Sequence, residues 1–405
     1  MNGIMSIPRI WLLRLARPLC SSRAARAGVH FVPHHATGDS IHFFSSISSS
    51  SGELPSSSSQ SVPEPSLSYQ EQPTQKVLRE VASLCRDGKP EIAEEKVQTL
   101  KNVSVDVMNQ ILGAYASASG SSDALKDLLY RMKSDESLPS PNTGSYNILL
   151  SVLSPPEADK LLKAMIKNHT VDRWSFNTVM SSWAKSREAN RAVSILNQMA
   201  NHAEKTDNPA LKPDMVSFST VLTVFAQRGM AEEASLLLSR IQHLNPDKIT
   251  LTSVILAWAN SKRPDAPREA LRVLEGMYRQ YESERDFRIK PDTVAYNAVL
   301  AALANVENNG PKAEQLLRKM QHSEDPDCAP SVVSYGTVLA AYKNSPACAE
   351  AVDRSESLLF ELVYSDRKVG LNTVCFATVL STMAKRGLAE RAEALLERMI
   401  QLSNN

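Results

Sequence analysis

The sequence predicts an all-α fold, a solenoid of stacked helix-turn-helix units, and three observations carry that prediction. First, apolar residues recur at i, i+3, i+4 and i+7 in eight segments, which places them on one stripe of a helix. Second, each segment is followed by another helical pattern, a small residue and then apolar residues three, four and seven positions on. Third, the first residues of the eight stripes lie 30 to 45 residues apart, the period of a repeat array. Only 6% of residues are aromatic and glycine is scarce, which suits helices better than β-sandwiches.

The stripes run in order along the chain. They are Met108, Ile111, Leu112, Tyr115; Tyr146, Leu149, Leu150, Leu153; Phe176, Val179, Met180, Trp183; and Phe218, Val221, Leu222, Phe225. They continue as Leu251, Val254, Ile255, Trp258; Tyr296, Val299, Leu300, Leu303; Tyr335, Val338, Leu339, Tyr342; and Phe376, Val379, Leu380, Met383. The second helices carry Ala158, Ala192, Ala234, Ala270, Ala313 and Ala392 at their small position, with Leu125 and Ser355 in the first and seventh units. A single hairpin cannot bury its apolar face, so neighbours must stack and bury it together. Length variation falls in connections such as 201–211 and 261–267, where loop extension costs little stability.

Local chemistry sets the helix starts. Proline before a first helix, as at Pro141, Pro213, Pro246 and Pro291, favours an extended entry, and the Asp or Asn that follows can accept hydrogen bonds from the free amides of the first turn. N-capping alone would account for Asp172, Asp214, Asp247 and Asp292, without a further role. The aromatic anchors Tyr146, Phe176, Phe218, Tyr296, Tyr335 and Phe376 are expected in the inter-helix core.

The ends are different. Arg9, Arg14, Arg17, Arg23 and Arg26 interleave with Ile10, Trp11, Leu12, Leu13, Leu15 and Leu19, and no acid precedes Asp39. That pattern reads as an organelle presequence over 1–44, mitochondrial in preference to chloroplast. Residues 45–70 read as a flexible linker, with 11 Ser in the 17 positions from Ser45 to Ser61. A hairpin over 71–103 is expected to cap the array, which then fills 104–405.

Composition excludes several classes. No stretch approaches the roughly 18 apolar residues of a membrane span. Five cysteines form no CxxC pair, so they read as reduced packing or surface thiols. Beyond residue 70 the chain holds 40 basic and 41 acidic groups, so any nucleic-acid binding must come from a local stripe.

The junctions Lys212-Pro213-Asp214-Met215-Val216-Ser217-Phe218-Ser219 and Lys290-Pro291-Asp292-Thr293-Val294-Ala295-Tyr296-Asn297, with Met closing most second helices, resemble the pentatricopeptide repeat. The resemblance covers about residues 104 to 402 and implies a right-handed α-solenoid that binds single-stranded RNA. In that family the residue after each anchor and the last residue of the repeat read one base per repeat. The residue after the anchor lies about 100° off the core stripe, so packing alone does not call for the amides and hydroxyls found there.

The resemblance therefore pairs Asn109 with Asn142, Asn147 with Asp172, Asn177 with Asp214, Ser219 with Asp247, Thr252 with Asp292, and Asn297 with Ser331. The family's correspondence reads these as pyrimidine-U-U-G-G-C. Gly336 with Asn372, and Ala377, depart from the pattern. Val216, Ile249, Val294, Val333 and Val374 are implied to sandwich bases, with Gly144 and Trp174 departing. Lys185 and Lys385 match the family's backbone-binding position, Arg228 and Lys343 lie one residue off it, and Asn260 and Asn305 replace it. Four cations predict modest, salt-sensitive affinity.

His202-Ala-Glu204 matches half of a deaminase signature, but without Cys-x-x-Cys no zinc site can be completed. No catalytic cluster or phosphate loop occurs, so neither catalysis nor a cofactor is expected. The partners expected are an organellar RNA, with other RNA-processing or ribosomal proteins beside it, and no membrane. Near-neutral charge and unequal repeats favour a rival reading, a protein-interaction scaffold. The recurring Asn, Thr and Asp pairs favour RNA.

Overall fold

In a computed structural model, residues 73–98, 100, 103–118, 122–323, 325–346, 348, 350–364 and 373–403 are described. The expected presequence and linker lie outside them, as does Asn372. The described residues form eighteen α-helices and no strand, an α-solenoid. Helices α1 (Pro73–Arg86) and α2 (Pro90–Gln98) make the first hairpin. Eight hairpins follow: α3 (Val105–Ala118) with α4 (Ser122–Ser134), α5 (Thr143–Val152) with α6 (Pro155–Lys167), α7 (Arg173–Lys185) with α8 (Ala189–Lys205), and α9 (Met215–Arg228) with α10 (Ala231–Ile241). The last four are α11 (Lys248–Ser261) with α12 (Ala266–Glu284), α13 (Thr293–Ala304) with α14 (Gly310–Gln321), α15 (Val332–Lys343) with α16 (Ala351–Tyr364), and α17 (Thr373–Lys385) with α18 (Ala389–Ser403).

Each first helix packs on its own partner and on the first helix of the next repeat, and each second helix also touches that next first helix. One continuous core results. Ile111, Val179, Val221, Val254, Val299, Val338 and Val379 are all essentially inaccessible. Val81, Ala93 and Val97 of the first hairpin join the same core.

The anchors do not behave uniformly. Phe176, Tyr335 and Phe376 are buried as expected, but Tyr146, Phe218 and Tyr296 are only partly buried; of the two aliphatic anchors, Met108 is buried and Leu251 partly so. Where the neighbouring helices cover it less, a tyrosine anchor can keep its hydroxyl near water. Tyr296 shows this. It lines a cleft of about 650 Å³ with Tyr278, Lys290 and Cys328, and partial burial pushes its hydroxyl up to about 12.

Two glycines permit close approach between repeats. Gly310, at the start of α14, lies under the Tyr342 ring, where a Cβ would stand 2.6 Å from Cδ1. Gly229 ends α9 in the left-handed conformation at φ +66°, and a Cβ there would stand 2.6 Å from the Asn260 carbonyl oxygen. Gly387 has a similar φ of +71° but open space around it. Gly387→Ala should therefore lose about 1 kcal/mol, the left-handed penalty alone. Gly229→Ala should lose at least about 2 kcal/mol more through overlap with the neighbouring backbone. Thermal melts followed by circular dichroism test the ordering, and equal losses would contradict the packing role assigned to Gly229.

Candidate nucleic-acid interface

The last residues of the repeats are helix N-caps. Asn142, Asp172, Asp214, Asp247, Asp292 and Ser331 are extended in backbone and each accepts from an amide of the following turn. The Ser145, Ser175, Ser217 and Thr250 amides donate to them at 3.0, 2.7, 3.0 and 2.9 Å. Four caps are reciprocal boxes in which the third helical residue, Ser145, Ser175, Ser217 or Ser334, accepts from the cap's own N–H. The simple capping account of the acids is thus correct.

Those serines also reach backwards into the preceding repeat. The Ser145 hydroxyl donates to Asn109 Oδ1 at 2.6 Å, Ser175 to Asn147 at 2.6 Å, Ser217 to Asn177 at 2.7 Å and Ser334 to Asn297 at 2.6 Å. The cap itself often closes the triangle. Asn109 Nδ2 lies 3.3 Å from Asn142 Oδ1, Asn147 Nδ2 lies 3.1 Å from Asp172 Oδ2, and Asn297 Nδ2 lies 3.5 Å from the Ser331 hydroxyl.

Three of the six expected pairs therefore touch directly, and Asn177 with Asp214 is joined through Ser217. The other two share no side-chain bond. The Ser219 hydroxyl turns back to the Met215 carbonyl at 2.8 Å, and Ala295 stands where a linking serine would bridge Thr252 to Asp292. Sequence reasoning missed the serines. Their signal was available: Ser or Thr immediately precedes the anchor at Ser145, Ser175, Ser217, Thr250 and Ser334, each 0% exposed.

Beside these clamps runs an apolar row. Val216, Ile249, Val294, Val333 and Val374 are 59, 64, 61, 63 and 66% exposed, and Trp174 is 50% exposed. Each lies three residues before the reading position, so the two share a helix face. A surface that otherwise hides its valines leaves these out at one register.

The opposite ends of the first helices are amidated or basic. Lys185, Arg228, Lys343 and Lys385 each occupy the last residue of their helix, where cations favour the exposed carbonyls. Asn260 and Asn305 are not vacant replacements. They donate to the Ala226 and Ala259 carbonyls at 2.8 and 2.9 Å, and Asn344 donates to Ala304 at 2.9 Å. Each amide thus closes the orphan carbonyls of the preceding first helix. Burial opposes ionisation of Asp214, but bonds from Ser217 and the guanidinium of Arg173 outweigh it and hold the carboxyl below its usual range.

Comparison with known proteins agrees with this architecture. A family model described as the pentatricopeptide repeat domain matches residues 283–345, and one described as the PPR repeat matches 174–202, 216–245 and 374–403. A chloroplastic pentatricopeptide repeat-containing protein of Arabidopsis thaliana is 21% identical over 228 residues, 55% of this chain and 26% of the relative. A mitochondrial one from the same plant is 28% identical over 193 residues, 47% of this chain and 20% of the relative. The chain thus spans about a fifth to a quarter of the length of these relatives.

The crystal structure of the pentatricopeptide repeat protein PPR10 from maize matches with a TM-score of 0.51 at 20% identity, over 78% of this chain and 46% of that one. Repeat models match in both halves of the array, so the chain carries pentatricopeptide repeats over residues 174–202, 216–245, 283–345 and 374–403.

Proposed function

We propose that this protein binds single-stranded RNA along the row of first-helix N-termini, reading one base per repeat, and acts in organellar RNA processing, stability or translation. The exposed apolar row is the observation that carries the reading. Packed helices lie about 8–10 Å apart, so two successive side chains of the row leave room for one flat base between them. The reading residue, one turn along the same face, then meets the base edge with an amide or hydroxyl that can donate and accept.

The clamps support this reading. A reading asparagine whose Oδ1 is held by a buried serine presents a fixed orientation, and preorganisation of this kind raises affinity by lowering the ordering cost. Lys185, Arg228, Lys343 and Lys385 are proposed to face the phosphates. Blocking exonucleases or holding a leader single-stranded needs no catalytic group, so binding alone suffices for the role. The mitochondrion, with the chloroplast as the other candidate, follows from residues 1–44, and fusing them to a fluorescent reporter tests the address by where the reporter accumulates.

Three outcomes follow from the reading. The chain should bind C-U-U-G-G-C about tenfold or more tighter than shuffled oligonucleotides, a difference of about 1.4 kcal/mol. Equal, weak affinity for both would instead support a protein-interaction scaffold. Thr252→Asn should shift the fifth base preference from G toward U with the melting midpoint unchanged. Trp174 is far more exposed than Trp258, which is 5% exposed, so RNA should quench tryptophan emission in the unaltered chain and much less in Trp174→Val.

A further inference from the structure

Two of the six junctions are built differently from the rest. Arg173 Nη1 lies 3.1 Å from Asp214 Oδ2, with its Nε 3.1 Å from the Ala210 carbonyl oxygen, and Lys248 Nζ lies 3.1 Å from Asp292 Oδ2. Both cations occupy the first position of a first helix, one repeat before the acid they hold. The other carboxylate oxygen is already filled by capping. Asp214 Oδ1 accepts from the Ser217 amide at 3.0 Å, and Asp292 Oδ1 accepts from the Val294 and Ala295 amides at 3.1 Å. Each acid is satisfied without its reading residue.

Asp172 has no such cation, because the equivalent first position is Thr143. Its oxygens accept instead from Asn147 Nδ2 at 3.2 and 3.1 Å, and Asn147 is only 7% exposed. Asn177, whose acid is held by Arg173, is more open, and its Nδ2 donates no hydrogen bond among the described residues. Exposed ion pairs of this kind add little to stability. Their consequence is occupancy of one oxygen.

We propose that a cation at the first helical position, by holding one oxygen of the next acid, leaves the reading side chain free for a base, with Arg173 and Lys248 as positioning residues for the third and fifth bases. The inference rests on the RNA reading above. It makes the second junction, where Asn147 is engaged by Asp172, the less discriminating of the two Asn–Asp sites. A cation placed there releases the amide.

The test uses the full chain and a panel of C-U-U-G-G-C oligonucleotides, each changed at one base, with affinity read by fluorescence anisotropy at two salt concentrations. Arg173→Met should lower discrimination at the third base about three- to tenfold, the weight of one hydrogen bond, and leave the other five positions unchanged. Lys248→Met should do the same at the fifth base only. Thr143→Arg is the gain variant, and it should raise discrimination at the second base by a similar factor, an effect that misfolding cannot produce. A uniform loss of affinity for every oligonucleotide in Arg173→Met, with a shallower salt dependence, would assign Arg173 to a phosphate and overturn the proposal. Unchanged second-base discrimination in Thr143→Arg would overturn it as well. If the unaltered chain shows no base preference at any position, the RNA reading itself falls and this inference with it.

Discussion

A serine hydroxyl trapped between two repeats is the contact on which both the stacking and the candidate interface depend. At Ser145, Ser175, Ser217 and Ser334 it accepts from the cap amide of its own helix and faces the reading asparagine of the helix before. These hydroxyls are wholly buried, and a buried hydroxyl left unpaired carries a penalty of roughly 1–3 kcal/mol. At these four junctions the repeats must therefore meet at a separation that satisfies cap, serine and asparagine together. Helix initiation, inter-repeat register and side-chain presentation become one constraint.

The other end of each first helix obeys a related rule through different groups. Asn260, Asn305 and Asn344 carry an amide to the terminal carbonyls of the preceding helix, so the middle of the array is tied at both ends. Gly229 allows the closest of these approaches, having no Cβ to meet the Asn260 carbonyl. Side chains spent on this tie cannot serve as phosphate contacts. At this helix end the fifth and sixth repeats carry Asn260 and Asn305 where the third, fourth and eighth carry Lys185, Arg228 and Lys385.

Much of this was legible in the chain before folding. Apolar periodicity locates all eight first helices, and the Pro-Asp junctions at 213–214, 246–247 and 291–292 mark three of their starts, because capping is local chemistry between residues three apart. The caps Asp172, Asp214, Asp247 and Asp292 needed nothing further. The serine clamps escaped notice because a Ser beside an aromatic anchor has no helical pattern of its own. Its partner lies 36, 28, 40 or 37 residues away, beyond any local reading. The partial burial of Tyr146, Phe218, Leu251 and Tyr296 was likewise hidden, since a stripe shows which face is apolar and not how far the next helix covers it.

The sequence by itself determined the repeat, its helices, its caps and the list of side chains at each proposed reading position, because all of these follow from spacings within one hairpin. Tertiary structure alone decided which of those side chains meet. Asn147 spends its amide on Asp172 while Asn177 does not, although both pairs are written Asn and Asp. The difference is the residue at the first helical position, threonine in one repeat and arginine in the next. Its reach to the following cap exists only once the repeats have stacked.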